Sequence, residues 1–459
     1  MTAAGAVQSL SLVGIALPAG LLALLGAPAM VGRRLPERVV GLTTGLLTGL
    51  SAAAFAAALA AMLIGAAPPI VVELGTWFAA GQNSFSMDLL LDPMSLAFAL
   101  ATAFIGGMVA AFSHRYLHRE EGYQRYFVLY ATFLTGMLLV VLAGSIEMLF
   151  AGWELIGISS ALLVGFFHER PAPVQSAFRV LVVYRMSDAA MLSAAILVHH
   201  LQGRSSLALL FNRGAGGGAA ISAGEATAIG FLLAVAVAGK CAQLPFSGWL
   251  PRAMEGPTPS SAVYYGALSV HAGAYLLIRA APILERSPVV CVLIGAMGVT
   301  TAVYAAWARR VQTDVKSSLA FSSLTHVSII LVEIAMGFYR LAFFHMLGNA
   351  CLRLFQFLRA PSVLHDFHEA RNAVGRPKNT SRRPRGLLRG RLELWFYRFS
   401  LERGYVEAAV DKAVVAPLVR LADAIDRSEK WLADRIAGEA RSSRSVSDIA
   451  SGGEGGPRV

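Results

Sequence analysis

The chain has 459 residues, 56% of them apolar and 15% charged, and carries a net charge of +11. Apolar runs of about 20 residues recur along it, the length that crosses a bilayer core of roughly 30 Å, which excludes a soluble globular protein and predicts an all-α polytopic membrane protein. Much of the basic excess lies in short loops and in the tail after Arg359, where membrane orientation accounts for it and nucleic-acid binding is not implied.

About 11–12 transmembrane helices are expected. Eleven can be drawn, near 9–31, 39–66, 89–113, 126–144, 146–168, 175–200, 226–246, 260–281, 288–308, 315–337 and 339–358. The N-terminus lacks a basic n-region and a cleavage site, so the first run reads as a retained span. Arg33, Arg34 and Arg38 follow it, the third connection holds Arg115, Arg119 and Arg125, the fifth Arg170, and the ninth Arg309 and Arg310, whereas 67–88 has neither Lys nor Arg. Positive-inside counting puts the N-terminus outside and the C-terminus in the cytoplasm of a cell (inner) membrane protein. The outer loop 67–88 alternates in Val71–Trp77 and Phe85–Met87, the pattern of a small hairpin. Gly214–Gly218 reads as a loop, without the flanking strand that phosphate binding needs.

The seventh span runs into Lys240 and then into a proline-studded stretch with Pro245, Pro251, Pro257 and Pro259, which predicts a broken helix near 226–250. Cys241, Cys291 and Cys351 lie in apolar surroundings without C-x-x-C spacing and read as small buried hydrophobes. Beyond Arg359 the chain turns polar and basic, with RRPR at Arg382–Arg385. Val414, Leu418, Leu421, Ile425, Leu432 and Ile436 then form an amphipathic stripe too charged to span, and a Ser/Gly-rich tail predicted to be disordered starts near Arg441. The divisions expected are 1–84, N-terminal helices and outer loop; 85–360, the conducting domain; 361–440, a cytoplasmic linker and amphipathic helix; and 441–459, the tail.

Charges at membrane depth are costly unless paired or hydrated, so each is a candidate for function. Glu154 lies mid-span, and Lys240 is its natural partner in a titratable pair; the plain alternative is a structural carboxylate. Arg185 and Asp188 are three apart and can pair, either locally or within a conducting network. Asp314 reads as a helix-start charge, and Lys316 either snorkels or points inward. His271 and His326 sit deep, each read as hydrogen-bonded structure or as a relay. His345, Asn349 and Arg353 share one helix face. His199 and His200 read as interfacial. No ligand cluster, nucleophile elbow or nucleotide loop suggests an enzyme or a prosthetic group in this chain.

The runs LDPMS (Leu91–Ser95), REEGYQRYF (Arg119–Phe127), GWELIGISSALLVGF (Gly152–Phe166), GKCAQLPFSGWLPRAMEGPTPSSA (Gly239–Ala262) and TDVKSSLAFSSLTH (Thr313–His326) resemble the proton-conducting membrane subunits of complex I and their relatives, including NuoL and the Mrp antiporter subunits. The resemblance spans roughly 85–360. It implies inverted helical repeats with an ion path at their interface, and a working pair of Glu154 and Lys240 in the first half-channel. Tyr265 stands where that family usually has histidine, Asn349 where it has a second histidine, and Arg353 where it has lysine. A further broken helix with its own lysine is missing, so the second repeat is truncated. Tyr264–Arg279 and Gly348–Glu369 resemble the DabB branch, membrane subunits of an inorganic-carbon pump. That resemblance implies conduction of protons or sodium ions here, and a DabA-like soluble zinc partner on the cytoplasmic face that hydrates carbon dioxide. The alternatives are a proton-pumping subunit of a complex I-like or hydrogenase assembly, and a stand-alone antiporter or structural subunit.

Overall fold

The computed structural model describes residues 2–80, 83–202, 207, 221–374, 391–401, 412–413 and 416–436. Gly214–Gly218, Arg382–Arg385, Val414 and the tail from Arg441 lie outside the described residues. Eleven helices among those described are long and apolar enough to cross a bilayer. They are α1 (Ala3–Met30), α2 (Glu37–Ile64), α3 (Pro93–Tyr116), α4 (Tyr123–Leu142), α5 (Ile146–Val164), α6 (Pro171–Gln202), α7 (Ala223–Lys240), α8 (Thr258–Arg279), α9 (Pro288–Ala308), α10 (Val315–Ala335) and α11 (Tyr339–Val374). Their starts follow capping chemistry. Asp92 and Ser95 form a capping box at α3, Ser222 and Glu225 another at α7, and Asp314 accepts the Ser317 N–H at α10 as its sequence position predicts.

Strands β1 (Ile70–Ala80) and β2 (Asn83–Leu91) form the expected antiparallel hairpin between α2 and α3, with Ile70 opposite Leu91 and Val72 opposite Leu89. Among the described residues the fold is thus helical with one strand pair. Helix α8 is the innermost: its apolar window is wholly buried, and it packs against α3, α4, α7, α10 and α11. Apolar lipid gives helices little hydrophobic reason to associate, so close packing must hold them. At the α4–α5 crossing a Cβ on Gly152 would stand 2.6 Å from the Gly136 carbonyl oxygen, so only glycine permits that approach.

The break after α7 begins earlier than the prolines predict. Gln243 N–H donates to the Ala238 carbonyl and Cys241 N–H to the Val237 carbonyl, while Ala242 adopts φ +53°. This left-handed cap ends the helix at Lys240, five residues before Pro245. Pro251 sits inside a four-residue helical turn, Trp249–Arg252, and Pro257 and Pro259 start α8 rather than interrupt a helix. Residues Ser261–Ala267 of α8 are π-helical. Of the cysteines, Cys241 is buried, Cys291 is partly exposed and Cys351 is exposed, so the expectation of three buried thiols fails at the last two, which lie on outward helix faces.

Helix α12 (Arg391–Leu401) packs on α9 and on the turn Arg309–Val311. The segment from Tyr405 is a separate unit whose described residues include α13 (Ala416–Ile436), with Leu421, Ile425, Trp431 and Leu432 exposed.

Candidate functional site

Helices α5, α6 and α7 bring Glu154, Arg185, Asp188 and Lys240 together. Arg185 forms ion pairs with Glu154 and, at 3.1 Å, with Asp188. The Trp153 indole N–H donates to Asp188 at 2.8 Å. Lys240 is fully buried and donates to the Trp153 carbonyl at 3.0 Å. Its ammonium lies 4.8 Å from the Trp153 ring centroid and 4.4 Å from that of Tyr184, contacts worth about 2 kcal/mol when desolvated. The direct Glu154–Lys240 pair read from the sequence is therefore not formed. A planar guanidinium can serve two carboxylates at once and an ammonium cannot, so Arg185 takes both while the aromatic faces hold the lysine. Gly157 makes this possible: a Cβ there would stand 3.3 Å from Lys240 Nζ and 3.6 Å from Arg185. Two cations and two carboxylates balance, which lets the cluster sit at membrane depth. The Arg185 side chain is 44% exposed, so the cluster reaches a face of this chain.

Helices α8, α10 and α11 carry a different arrangement. His271 Nδ1 donates to the Ala267 carbonyl at 2.7 Å, which leaves Nε2 to accept from the Asn349 amide at 3.0 Å. Asn349 Oδ1 accepts from Arg353 Nε at 3.1 Å, and Arg353 also donates to Gln356 at 2.5 Å. Separately, His345 Nδ1 donates to Glu333 at 2.8 Å, and its Nε2 shares a hydrogen bond with His326 Nδ1 at 3.1 Å. The face shared by His345, Asn349 and Arg353 thus splits into two hydrogen-bonded strings, His271–Asn349–Arg353–Gln356 and His326–His345–Glu333. Tyr265, in the usual histidine position, is buried and donates to the Ser160 carbonyl at 3.2 Å. Tyr184, whose ring lies against Lys240, and Ser269, two residues before His271, carry buried hydroxyls that face each other.

Lys316 points inward. It donates to the carbonyls of Met254 at 2.7 Å and Gly256 at 2.9 Å, tying the start of α10 to the loop that follows the break. His199, in the last turn of α6, is buried, 3.6 Å from Glu147. Sequence reasoning misses Glu333, although it stands seven residues from His326 on the same face of α10. Gln356 follows Arg353 at i+3. The pair of Asp92 with Arg279 joins positions 187 apart and has no local signal. Among the described residues no group of three His, Cys, Asp or Glu is arranged to hold a metal ion.

Residues 143–376 match the family model described as NADH:quinone oxidoreductase/Mrp antiporter, TM, and residues 77–127 match that of NADH-ubiquinone oxidoreductase (complex I), chain 5 N-terminus. The chain is 34% identical over 296 residues to NADH-ubiquinone oxidoreductase chain 5 of Schizophyllum commune, covering 64% of this chain and 43% of that one. It is 33% identical over 322 residues to the probable inorganic carbon transporter subunit DabB1 of Halothiobacillus neapolitanus, covering 69% and 57%. It therefore spans about half the length of these curated relatives. Among solved structures, the Mrp complex from Dietzia sp. superposes with a TM-score of 0.65 at 29% identity, over 76% of this chain and 37% of that one. An archaeal membrane-bound sulfane sulfur reductase shares the fold, with a TM-score of 0.63 at 21% identity over 76% of this chain and 70% of that one. The match across half the sequence and the eleven spanning helices establish a multi-pass membrane protein that belongs to the NADH:quinone oxidoreductase/Mrp antiporter membrane family.

Proposed function

We propose that this chain is the cation-conducting membrane subunit of an energy-coupled inorganic-carbon transporter. The observation that carries conduction is Lys240, fully buried at the end of an interrupted helix and set against the Glu154–Arg185–Asp188 group, whose excess negative charge it balances. A passing proton or sodium ion upsets that balance and favours Arg185 or Lys240 changing partners, so local ion movement becomes a rearrangement of α5–α7. Tyr184, Ser269 and His271 offer the way onward to the second region. The likeness to DabB1 and the family departures at Tyr265, Asn349 and Arg353 support carbon transport as what conduction drives. In this reading the membrane is the inner one, the N-terminus lies outside and α13 faces the cytoplasm. Its exposed Leu421, Ile425, Trp431 and Leu432 offer an apolar edge to a DabA-like soluble subunit. That partner carries the zinc and hydrates carbon dioxide; this chain supplies no catalytic group.

The second reading is a proton-pumping subunit of a respiratory or hydrogenase assembly, favoured by the likeness to complex I chain 5. Co-purification with the products of neighbouring genes separates the two. A zinc-containing partner and bicarbonate uptake abolished by an uncoupler are expected; uptake that survives the uncoupler, or a redox partner in place of the zinc protein, overturns the first reading.

A further inference from the structure

The His326–His345–Glu333 string ends at a cavity of about 290 Å³ where α9 meets α10, lined by Ala306, Arg309, Arg310, Ser322, Thr325 and His326. That is about ten times the roughly 30 Å³ a molecule of liquid water occupies, so a small ion fits with part of its hydration shell. Arg309 and Arg310 are exposed at the rim, and among the described residues neither is paired with a carboxylate. They can therefore donate to oxygens of an incoming anion. Ser322 is buried in the lining and its hydroxyl can donate as well.

The remaining two polar groups are acceptors, which narrows the class of anion. Thr325 commits its hydroxyl proton to the Phe321 carbonyl at 2.9 Å, leaving lone pairs for the cavity. With His345 neutral, its Nδ1 donates to Glu333 and its Nε2 accepts from His326 Nδ1, which leaves Nε2 of neutral His326 as an acceptor. A fully deprotonated oxyanion meets no partner at these two atoms. One that carries a hydroxyl does.

We propose that this cavity is a binding site for a small oxyanion bearing a hydroxyl group, the class of hydrogen phosphate and bicarbonate, with its oxygens on Arg309, Arg310 and Ser322 and its O–H directed to His326 or Thr325. The site is independent of the Lys240 cluster, so its failure leaves the transport reading standing, and the reverse.

The test is calorimetric titration of the full-length protein in neutral detergent with inorganic phosphate near neutral pH, and with sulfate at matched ionic strength. Saturable phosphate binding, at least about tenfold tighter than sulfate, is expected. Arg309→Gln with Arg310→Gln should weaken phosphate by about tenfold or more, and His326→Phe should bring phosphate down to the sulfate level. Should His326→Phe fail to fold, Thr325→Val is expected to shift the phosphate-to-sulfate ratio in the same direction. Equal affinity for the two anions, no saturable phosphate binding, or a double arginine variant that binds as the wild type overturns the proposal. So does retention of an anionic phospholipid by the wild type and not by the arginine variant without phosphate binding, because a phosphodiester headgroup offers no phosphate hydroxyl.

Discussion

The region around Lys240 and the region around His271 and His345 solve the same problem, polar groups at membrane depth, with opposite materials. The first uses full charges in equal number: Arg185 and Lys240 against Glu154 and Asp188, joined by ion pairs and held by aromatic faces. The second uses imidazoles and amides. Its buried cation, Arg353, has among the described residues the amide oxygens of Asn349 and Gln356 as acceptors, and its carboxylate, Glu333, lies on the other string. A balanced charge cluster responds to an added ion by exchanging partners. The His326–His345–Glu333 string can respond to a proton by reversing donors and acceptors, whereas the donor-only guanidinium of Arg353 stops such a reversal in the other string.

The largest effect expected is at the first region. Lys240→Ala leaves two carboxylates against one cation, and breaking a buried charge set costs about 3–5 kcal/mol. Coupled uptake in membrane vesicles should fall by about 100-fold or more, with assembly checked by membrane abundance; wild-type uptake would remove this cluster from the path. In the second region Arg353→Lys tests whether charge alone matters. An ammonium does not reproduce the fork that meets Asn349 and Gln356 together, and one charge-assisted hydrogen bond is worth about 1.5–3 kcal/mol. Uptake should drop by about tenfold. If the Arg353→Lys variant matches the wild type, geometry is irrelevant there and the contrast between the two regions collapses.

The same contrast explains what could be read in the sequence. The eleven helices and the α2–α3 hairpin were legible because runs of apolar residues and period-2 alternation are local signals. The Arg185–Asp188 pair follows from i,i+3 spacing. The choice of Arg185 over Lys240 as the partner of Glu154 was not legible, because it depends on Gly157 leaving room beneath two cations and on the faces of Trp153 and Tyr184. In the second region, helix spacing grouped His345, Asn349 and Arg353; Asn349 does bond Arg353, yet His345 and the Asn349 amide N–H also bond other helices, at Glu333 and His271. Nor does proline content reveal a helix that ends five residues sooner in a left-handed cap.

A milder change separates the regions by packing alone. Gly157→Ala places a methyl group 3.3 Å from Lys240 Nζ, tight enough to displace the ammonium by a few tenths of an ångström. Overpacking of this kind costs about 1–3 kcal/mol, and uptake should fall several-fold with little loss of abundance. Gly348→Ala on α11 is the control, since nothing lies within 4 Å of its Cβ. That variant should transport normally. Equal losses in both would mean that glycine is needed for helix flexibility and not for the space under Lys240.

The smallest effect expected is a gain. Ala242 holds φ +53° at the cap that fixes Lys240 as the last residue of α7, and a left-handed conformation costs a residue with a Cβ about 1–2 kcal/mol. Part of that is offset in Ala242→Gly by the greater chain entropy glycine loses on folding, about 0.5–1 kcal/mol. The variant should therefore melt slightly higher in detergent, by an amount corresponding to roughly 1 kcal/mol or less, with uptake unchanged. Unchanged uptake at higher stability makes the cap a plain terminator of α7, and the work of the first region then rests on its side chains. Lower uptake at higher stability places the strain of the cap within the moving part, so that the first region responds to the ion through its backbone as well as its charges.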